Sequence, residues 1–200
     1  DDVLHIMAKH DNICNYIHLP VQSGSNHILK KMNRGYTKKE YLQRIEKIHE
    51  ILPDCAFSMD MISGFCTESD IDHKDTLGLM DKVIFDFGYM FKYSERPNTE
   101  AVGFGGVVPV NVRKKRSKML RGLSAKMRGV FYENQLNTER TVLFEDENKE
   151  GYINGFTENY VKVKAPWNPE LVNTLQKVKL TEIDEDGLVR FDFVKEEIRS

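Results

Sequence analysis

The chain has 200 residues, 40% of them hydrophobic and 30% charged, and a formal net charge of −2. Such a composition excludes a disordered or fibrous polymer and leaves room for one or two domains with real cores. No apolar run approaches the roughly 20 residues needed to cross a bilayer and no secretory signal opens the sequence, so a cytoplasmic location with no membrane partner is expected.

The first element is Tyr16-Ile-His-Leu-Pro-Val-Gln-Ser-Gly-Ser25, an apolar strand that breaks into a small, polar, glycine-containing loop. Thr37-Lys-Lys-Glu40 then forms a capping box, whose hydroxyl and carboxylate satisfy free N–H groups at a helix start. Tyr41, Ile45, Ile48 and Leu52 follow at helical spacing, and Pro53 ends the run. A second strand, Ala56–Ile62, runs into Ser63-Gly-Phe-Cys-Thr-Glu68. Ser69-Asp-Ile-Asp72 opens another helix with acids in the first turn, where the dipole favours them. Leu77, Met80, Val83 and Ile84 are its expected buried stripe. A third strand, Phe87–Phe91, runs into Lys92-Tyr-Ser-Glu-Arg-Pro97. Strand, polar loop and amphipathic helix thus recur at roughly forty-residue spacing, the pattern of a parallel α/β sheet or barrel. In such folds the loops leaving the carboxyl ends of the strands form the reactive face, so all three polar clusters are expected on one rim.

Val102-Gly-Phe-Gly-Gly-Val-Val-Pro109 is glycine-rich and reads as a surface loop. A long helix is expected from Val110 to Leu136, with Leu120, Leu123, Met127 and Phe131 inward. Eight Lys or Arg and no Asp or Glu fall between Ala101 and Tyr132. This block is either a polyanion-facing surface or a solvated helix face. After Asn137 the texture changes to short strands at Thr141–Glu145, Gly151–Gly155, Tyr160–Lys164, Gln176–Glu182 and Leu188–Phe193, with turns at 145–148 and 184–187. Strands this short and this closely spaced predict a small antiparallel β-barrel. The expected division is an α/β unit over residues 1–136 and a barrel over 137–200. Lys162 and Lys164 alternate with Val161 and Val163, which turns the lysines outward. Tyr152, Phe156, Tyr160 and Trp167 either stack on bases or fill and cap the barrel. Twelve acidic against seven basic residues from Glu139 to Val194 temper any strong attraction to RNA.

Cys14, Cys55 and Cys66 lie far apart, without the close spacing of a disulfide framework or of a zinc or iron–sulfur ligand set. All three are expected as small buried hydrophobes in a reducing compartment. Cys66 lies in a site loop, which leaves a functional role open.

Four motifs stand in order: His18-Leu-Pro-Val-Gln-Ser-Gly-Ser25, Met32-Asn-Arg-Gly-Tyr-Thr37, Asp60-Met-Ile-Ser-Gly-Phe65 and Tyr93-Ser-Glu-Arg-Pro97. Together they closely resemble the radical-SAM tRNA methylthiotransferases. The resemblance covers essentially the whole chain: the second half of a partial (β/α) radical-SAM barrel, then a small all-β barrel similar to a TRAM domain. It implies an enzyme that inserts sulfur at carbon 2 of an N6-modified adenosine next to the tRNA anticodon. The implied cofactors are S-adenosylmethionine and two 4Fe-4S clusters; the implied partners are the tRNA anticodon stem-loop and a reductant protein for the clusters. The family's cluster cysteines belong to an amino-terminal domain and to a Cys-x3-Cys-x2-Cys motif early in the barrel, neither of which is in this sequence. With Asp1 at its start and a strand soon after, the chain reads as a piece of a longer protein, inactive by itself.

The resemblance implies that the far wall of the S-adenosylmethionine pocket lies here. Gln22, Ser23 and Ser25 would serve ribose hydroxyls or the amino-acid end of the cofactor, and Gly24 would let backbone approach closely. Arg34 would bind a carboxylate or phosphate in fork geometry. Ile62, Gly64 and Phe65 would form the bed for adenine. His18 is either a ligand or a histidine packed at a strand end. Asp60, an inward carboxylate, is expected to take a functional hydrogen bond, because burial without a partner is costly. Arg96 on the third loop, Arg113, Lys115 and Arg116 on the long helix, and Tyr160, Lys162 and Lys164 on the barrel are the expected RNA contacts. Two departures stand out. Gly64-Phe-Cys-Thr-Glu-Ser69 replaces the family's Gly-Phe-Pro-Gly-Glu-Thr. Residues up to Ser94 resemble the branch acting on dimethylallyladenosine, whereas Pro97–Ala101, the helix beyond and Gly155–Tyr160 resemble the threonylcarbamoyladenosine branch. Dimethylallyladenosine is the expected substrate. The alternatives are threonylcarbamoyladenosine, a ribosomal protein target, or a non-catalytic tRNA-binding module.

Overall fold

Strands β1 (Tyr16–His18), β2 (Ala56–Ser63) and β3 (Phe87–Lys92) lie side by side in that order, all parallel. This computed structural model describes residues 2–194; Asp1 and residues 195–200, the outer ends of the two expected units, lie outside the described residues. Parallel neighbours need a crossover, supplied between β1 and β2 by α2 (Asn26–Lys31) and α3 (Lys38–Ile51), and between β2 and β3 by α4 (Asp70–Met80). A short helix, α1 (Asp2–Met7), precedes the sheet.

Both helix starts read from the sequence are formed. Thr37 and Glu40 make a complete capping box on α3, and Ser69 and Asp72 make one on α4, each cap contributing about 1 kcal/mol. Tyr41, Ile45 and Ile48 of α3 are buried against the sheet. The stripe expected on the second helix is corrected. The helix stops at Met80, Thr76, Leu79 and Met80 supply its buried side, and Ile84 stands exposed beyond its end. Val83 still enters the core, but from the loop.

Phe57, Met59 and Met61 of β2 are fully buried in this core. Strand side chains alternate, so Ser58, Asp60 and Ile62 point to the opposite face. The long helix α5 (Val110–Gln135) packs along β3 and inserts Leu120 and Met127 into the same core.

The barrel consists of β4 (Glu139–Lys149), β5 (Tyr152–Thr157), β6 (Lys162–Pro166), β7 (Leu175–Ile183) and β8 (Val189–Phe193), closed in the order β4-β5-β6-β8-β7. Every neighbouring pair is antiparallel except β6 with β8. Val142, Phe144, Ile153, Val163, Leu180 and Val189 fill its centre, and closure removes the edges that an open sheet would expose. Two expectations are corrected. Residues 145–148 are no turn but continue β4, with a register shift between Phe144 and Asn148. The reversal falls instead at Glu150-Gly151, both at positive φ (53° and 85°), as a two-residue hairpin turn requires. β6 begins at Lys162, because Tyr160 takes a left-handed φ of 64°.

The barrel docks where β1 and β2 begin. Ala56 of β2 belongs to the barrel's core cluster, and the Tyr160 ring stacks on Tyr16 with centroids 4.0 Å apart. Asn159, fully buried, donates through Nδ2 to Gln135 Oε1 (3.0 Å) and to the Asp54 carbonyl (3.4 Å).

Candidate functional site

The sheet face that the helices leave uncovered carries Tyr16 and His18 from β1, Ser58, Asp60 and Ile62 from β2, and Phe87, Tyr89 and Phe91 from β3. A recess of about 500 Å³ lies on it, lined by Tyr16, His18, Ser58, Asp60, Tyr89, Phe91 and the barrel's Tyr160. His18 Nδ1 is 2.7 Å from Ser58 Oγ, and its Nε2 is 3.5 Å from Asp60 Oδ2. The His18 and Asp60 side chains are 44% and 24% exposed, so the pair opens into the recess rather than being packed away. A second hollow of about 570 Å³ lies outside the sheet between Leu19-Pro20 and α3. There the Tyr36 and Tyr41 hydroxyls donate to the Pro20, Val21 and Leu19 carbonyls, which uses them to hold the loop.

The three loops at the carboxyl ends of the strands are stitched to one another. Gln22, at a left-handed φ of 72°, donates its N–H to the Asp60 carbonyl (2.8 Å) and accepts from Ile62 N–H (2.9 Å). Tyr93 N–H donates to the Ser63 carbonyl (2.8 Å). Gln22, Gly64 and Arg96 therefore all sit on loops that leave neighbouring strands in the same direction. Gly64 has a φ of 76°, and a Cβ there would run into the Arg113 side chain, so both conformation and space demand glycine.

Several expected ligands are already engaged within the protein. Ser23 Oγ is 3.3 Å from Thr76 Oγ1, and Gly24 N–H donates to the same oxygen at 3.0 Å. The backbone that Gly24 approaches closely belongs to α4: a Cβ would lie 2.6 Å from the Asp75 carbonyl oxygen and from Thr76 Cα. Ser25 caps α2 and donates to Asp72 Oδ1 at 2.5 Å. Burial pushes the Asp72 carboxyl up, but hydrogen bonds from Ser25 and Ser69, then His27, overcome it and hold the group at about 2. Ser23, Gly24 and Ser25 thus fasten the loop to α4. Phe65 is wedged with Ile28 and Cys66 and lies edge-on to Tyr93 at 5.0 Å. Ile62 remains half-buried on the open face, Gln22 is almost wholly buried, and Arg34 is exposed beyond α2.

The basic helix divides along its period. Arg113 and Arg116 are 5% and 6% exposed, which corrects their expected RNA-facing role. Residues three apart share a helix face, and theirs is the face that carries Leu120 into the core. Arg113 donates to the Val108 and Tyr93 carbonyls (2.7 and 2.8 Å) and grips both oxygens of Glu95, whose carboxyl these hydrogen bonds hold at about 2. Arg116 donates to the Glu68 carbonyl (2.9 Å) and to Asp70 (2.8 Å). Lys115, with Lys114, Lys118 and Arg121, is exposed. On the barrel Lys164, one of the expected RNA contacts, is engaged by Asp184 (3.0 Å) and Asp186. Lys162 lies over the Phe156 ring at 5.4 Å and stays partly exposed, as does Tyr160. Arg96 is exposed.

Glu68 escaped sequence reading. It is buried, its carboxylate accepts the Gly64 N–H, and burial raises its pKa against the pull of that bond and of Arg116. Its position four residues after a glycine turn was the available signal. Tyr16, Ser58, Tyr89 and Phe91 were also missed as lining residues, although Phe87-Gly-Tyr-Met-Phe91 puts an aromatic at every second position. Cys66 donates to the Ala101 carbonyl (3.3 Å) and Cys55 is buried, its thiol pushed up to about 12 by burial; Cys14, expected buried, is exposed. Among the described residues no three His, Cys, Asp or Glu gather to hold a metal ion, and no helix is long and apolar enough to cross a membrane.

A parallel sheet with a recess on its inner face and polar loops on one rim is part of an α/β barrel, and residues 1–80 match the Radical SAM superfamily. The chain is similar to proteins named tRNA-2-methylthio-N(6)-dimethylallyladenosine synthase. That of Chloroherpeton thalassium is 38% identical over 94% of this chain and 42% of its own length, and that of Christiangramia forsetii 48% over 74% and 31%. That of Flavobacterium psychrophilum is 58% identical over half of this chain and 21% of its own. The resemblance to the radical-SAM tRNA methylthiotransferases is borne out, and the chain spans less than half the length of these relatives.

Proposed function

We propose that this chain is the distal wall and RNA-facing part of a cytoplasmic radical-SAM methylthiotransferase that adds a methylthio group at carbon 2 of N6-dimethylallyladenosine in tRNA. One observation carries the reading: the recess on the sheet's inner face is lined jointly by strands of the radical-SAM unit and by Tyr160 of the barrel, so the two units share one space on that face. The relatives' names supply the substrate. When bound, S-adenosylmethionine and two 4Fe-4S clusters, the latter ligated by residues outside this chain, supply the radical and the sulfur.

The open groups of this chain fit one flank of a sulfonium nucleoside. Ile62 offers an apolar surface for adenine, the Asp60 carboxylate can accept from ribose hydroxyls, and His18 holds that carboxylate in place. Gln22 would act through the loop backbone that it shapes, and exposed Arg34 would take a carboxylate. Glu68 and Arg116 keep the Gly64 turn closed behind this wall. Arg96, Lys115, Lys162 and Tyr160 would meet the anticodon stem-loop, phosphates on the cations and a base on the ring. Electrons would come from a reductant protein.

Mass spectrometry of tRNA nucleosides tests this in cells that carry or lack the complete gene. The expected difference is 2-methylthio-N6-dimethylallyladenosine present only with the gene. Methylthiolation of threonylcarbamoyladenosine alone, or no change in any nucleoside, would overturn the reading.

A further inference from the structure

β3 presents Phe87, Tyr89 and Phe91 on the recess side, 38%, 47% and 51% exposed. The rings form a continuous row: Phe87 and Tyr89 meet at 66° with centroids 4.6 Å apart, and Tyr89 and Phe91 are near-parallel at 6.4 Å. Contiguous apolar patches of this kind mark surfaces that a ligand or another part of a protein covers, and here hydrogen-bonding groups stand directly beside the rings in the same recess. Across the strands the character changes within one side chain's width. His18, Ser58 and Asp60 make the other half of the recess polar, and the Tyr89 ring stands edge-on to His18 at 6.3 Å. Among the described residues no Lys or Arg lines the recess, and its one carboxyl belongs to Asp60.

We infer that the aromatic row of β3 is the wall that accepts the N6 substituent of the target adenosine, with Tyr89 and Phe91 the residues that select an apolar, branched substituent over a charged one. This rests on the function proposed above and says how the same site discriminates. A purine lies flat on an aromatic face, and a branched hydrocarbon beside it covers the remaining ring surface at no polar cost. A threonylcarbamoyl substituent would bring a carboxylate into a recess that no Lys or Arg lines among the described residues, beside the Asp60 side chain. Such a charge is costly to desolvate. The recess therefore favours the hydrocarbon twice, by covering it with rings and by offering the anion no Lys or Arg among the described residues.

The test uses the complete, cluster-loaded enzyme with anticodon stem-loop RNAs that carry dimethylallyladenosine or threonylcarbamoyladenosine at the target position. Wild-type enzyme should prefer the first RNA. Tyr89→Ala and Phe91→Ala should each lower the ratio of kcat/KM between the two RNAs about tenfold, chiefly through KM, while Tyr89→Phe restores the preference. The rings are exposed, so truncation leaves the core intact. An equal loss on both RNAs, or an unchanged ratio, would overturn the wall while leaving the methylthiotransferase reading in place. Wild-type enzyme that modifies neither RNA would overturn the functional reading and the wall with it.

Discussion

Asp86 lies buried just before β3, its N–H donating to the Phe57 carbonyl at 2.9 Å. Burial pushes its carboxyl up to about 7, against the opposing pull of Arg128 and of a Tyr132 hydrogen bond. An unfolded aspartate titrates near 3.9, so the fold prefers the protonated form. The stability tied to this proton is complete below roughly pH 4 and is lost as pH rises through about 7. Asp86→Asn, which keeps the shape without the charge, should stabilise the protein by about 2 kcal/mol at pH 8 and by much less at pH 5. Urea unfolding at the two pH values measures this, and equal midpoints at pH 8 would mean that Asp86 is comfortably ionised. Nothing adjacent in sequence marks this aspartate, because the groups of α5 that face it, Arg128 and Tyr132, come some forty residues later. The same holds for Ser23 and Ser25. Their loop reads as ligand-binding, but the partners that consume their hydroxyls, Thr76 and Asp72, lie on another helix.

The β1 loop and α4 behave as one unit, joined at Gly24 and around Asp72. Gly24→Ala should therefore cost about 1–3 kcal/mol, the usual price of forcing a methyl into a packed contact. Gly35→Ala, with nothing within 4 Å of the added carbon, should be close to neutral. Chemical denaturation of both variants gives the comparison; equal effects would mean that the loop yields without strain. Among the elements, capped helices and alternating strands were legible because their signals are local: Thr37 with Glu40, Ser69 with Asp72, and valines at every second barrel position. The quartet at 145–148 misled because acidic residues and Asn look like a turn wherever they stand. The strand carries them through a shift of register, and the reversal goes to the pair at positive φ.

A net charge of −2 conceals an uneven molecule: one exposed lysine-rich face on α5 beside an acidic barrel whose Lys164 is already neutralised. If tRNA lies along α5, Lys115→Glu in the complete protein should weaken binding and flatten the dependence of log affinity on log salt by about one unit, without changing the unfolding midpoint. Arg116→Glu should act differently. It would set a buried anion against Glu68 and Asp70 and destabilise the fold by about 3 kcal/mol or more. Salt-titrated binding and thermal unfolding of both variants separate the cases. Loss of binding by Arg116→Glu at unchanged stability would mean that this guanidinium faces RNA after all.

Periodicity, caps and motif order were sufficient to read a parallel α/β unit, a closed β-barrel and the family, since each depends on residues a few positions apart. Which polar groups are free to act was decided by packing between distant segments. Arg113 and Lys115 are two residues apart and equally basic, yet one is buried and grips Glu95 while the other stands in water. The recess itself arises from three strands far apart in the chain and a tyrosine from the barrel. Burial is a property of what lies across the gap, and no stretch of sequence contains its own neighbours across space.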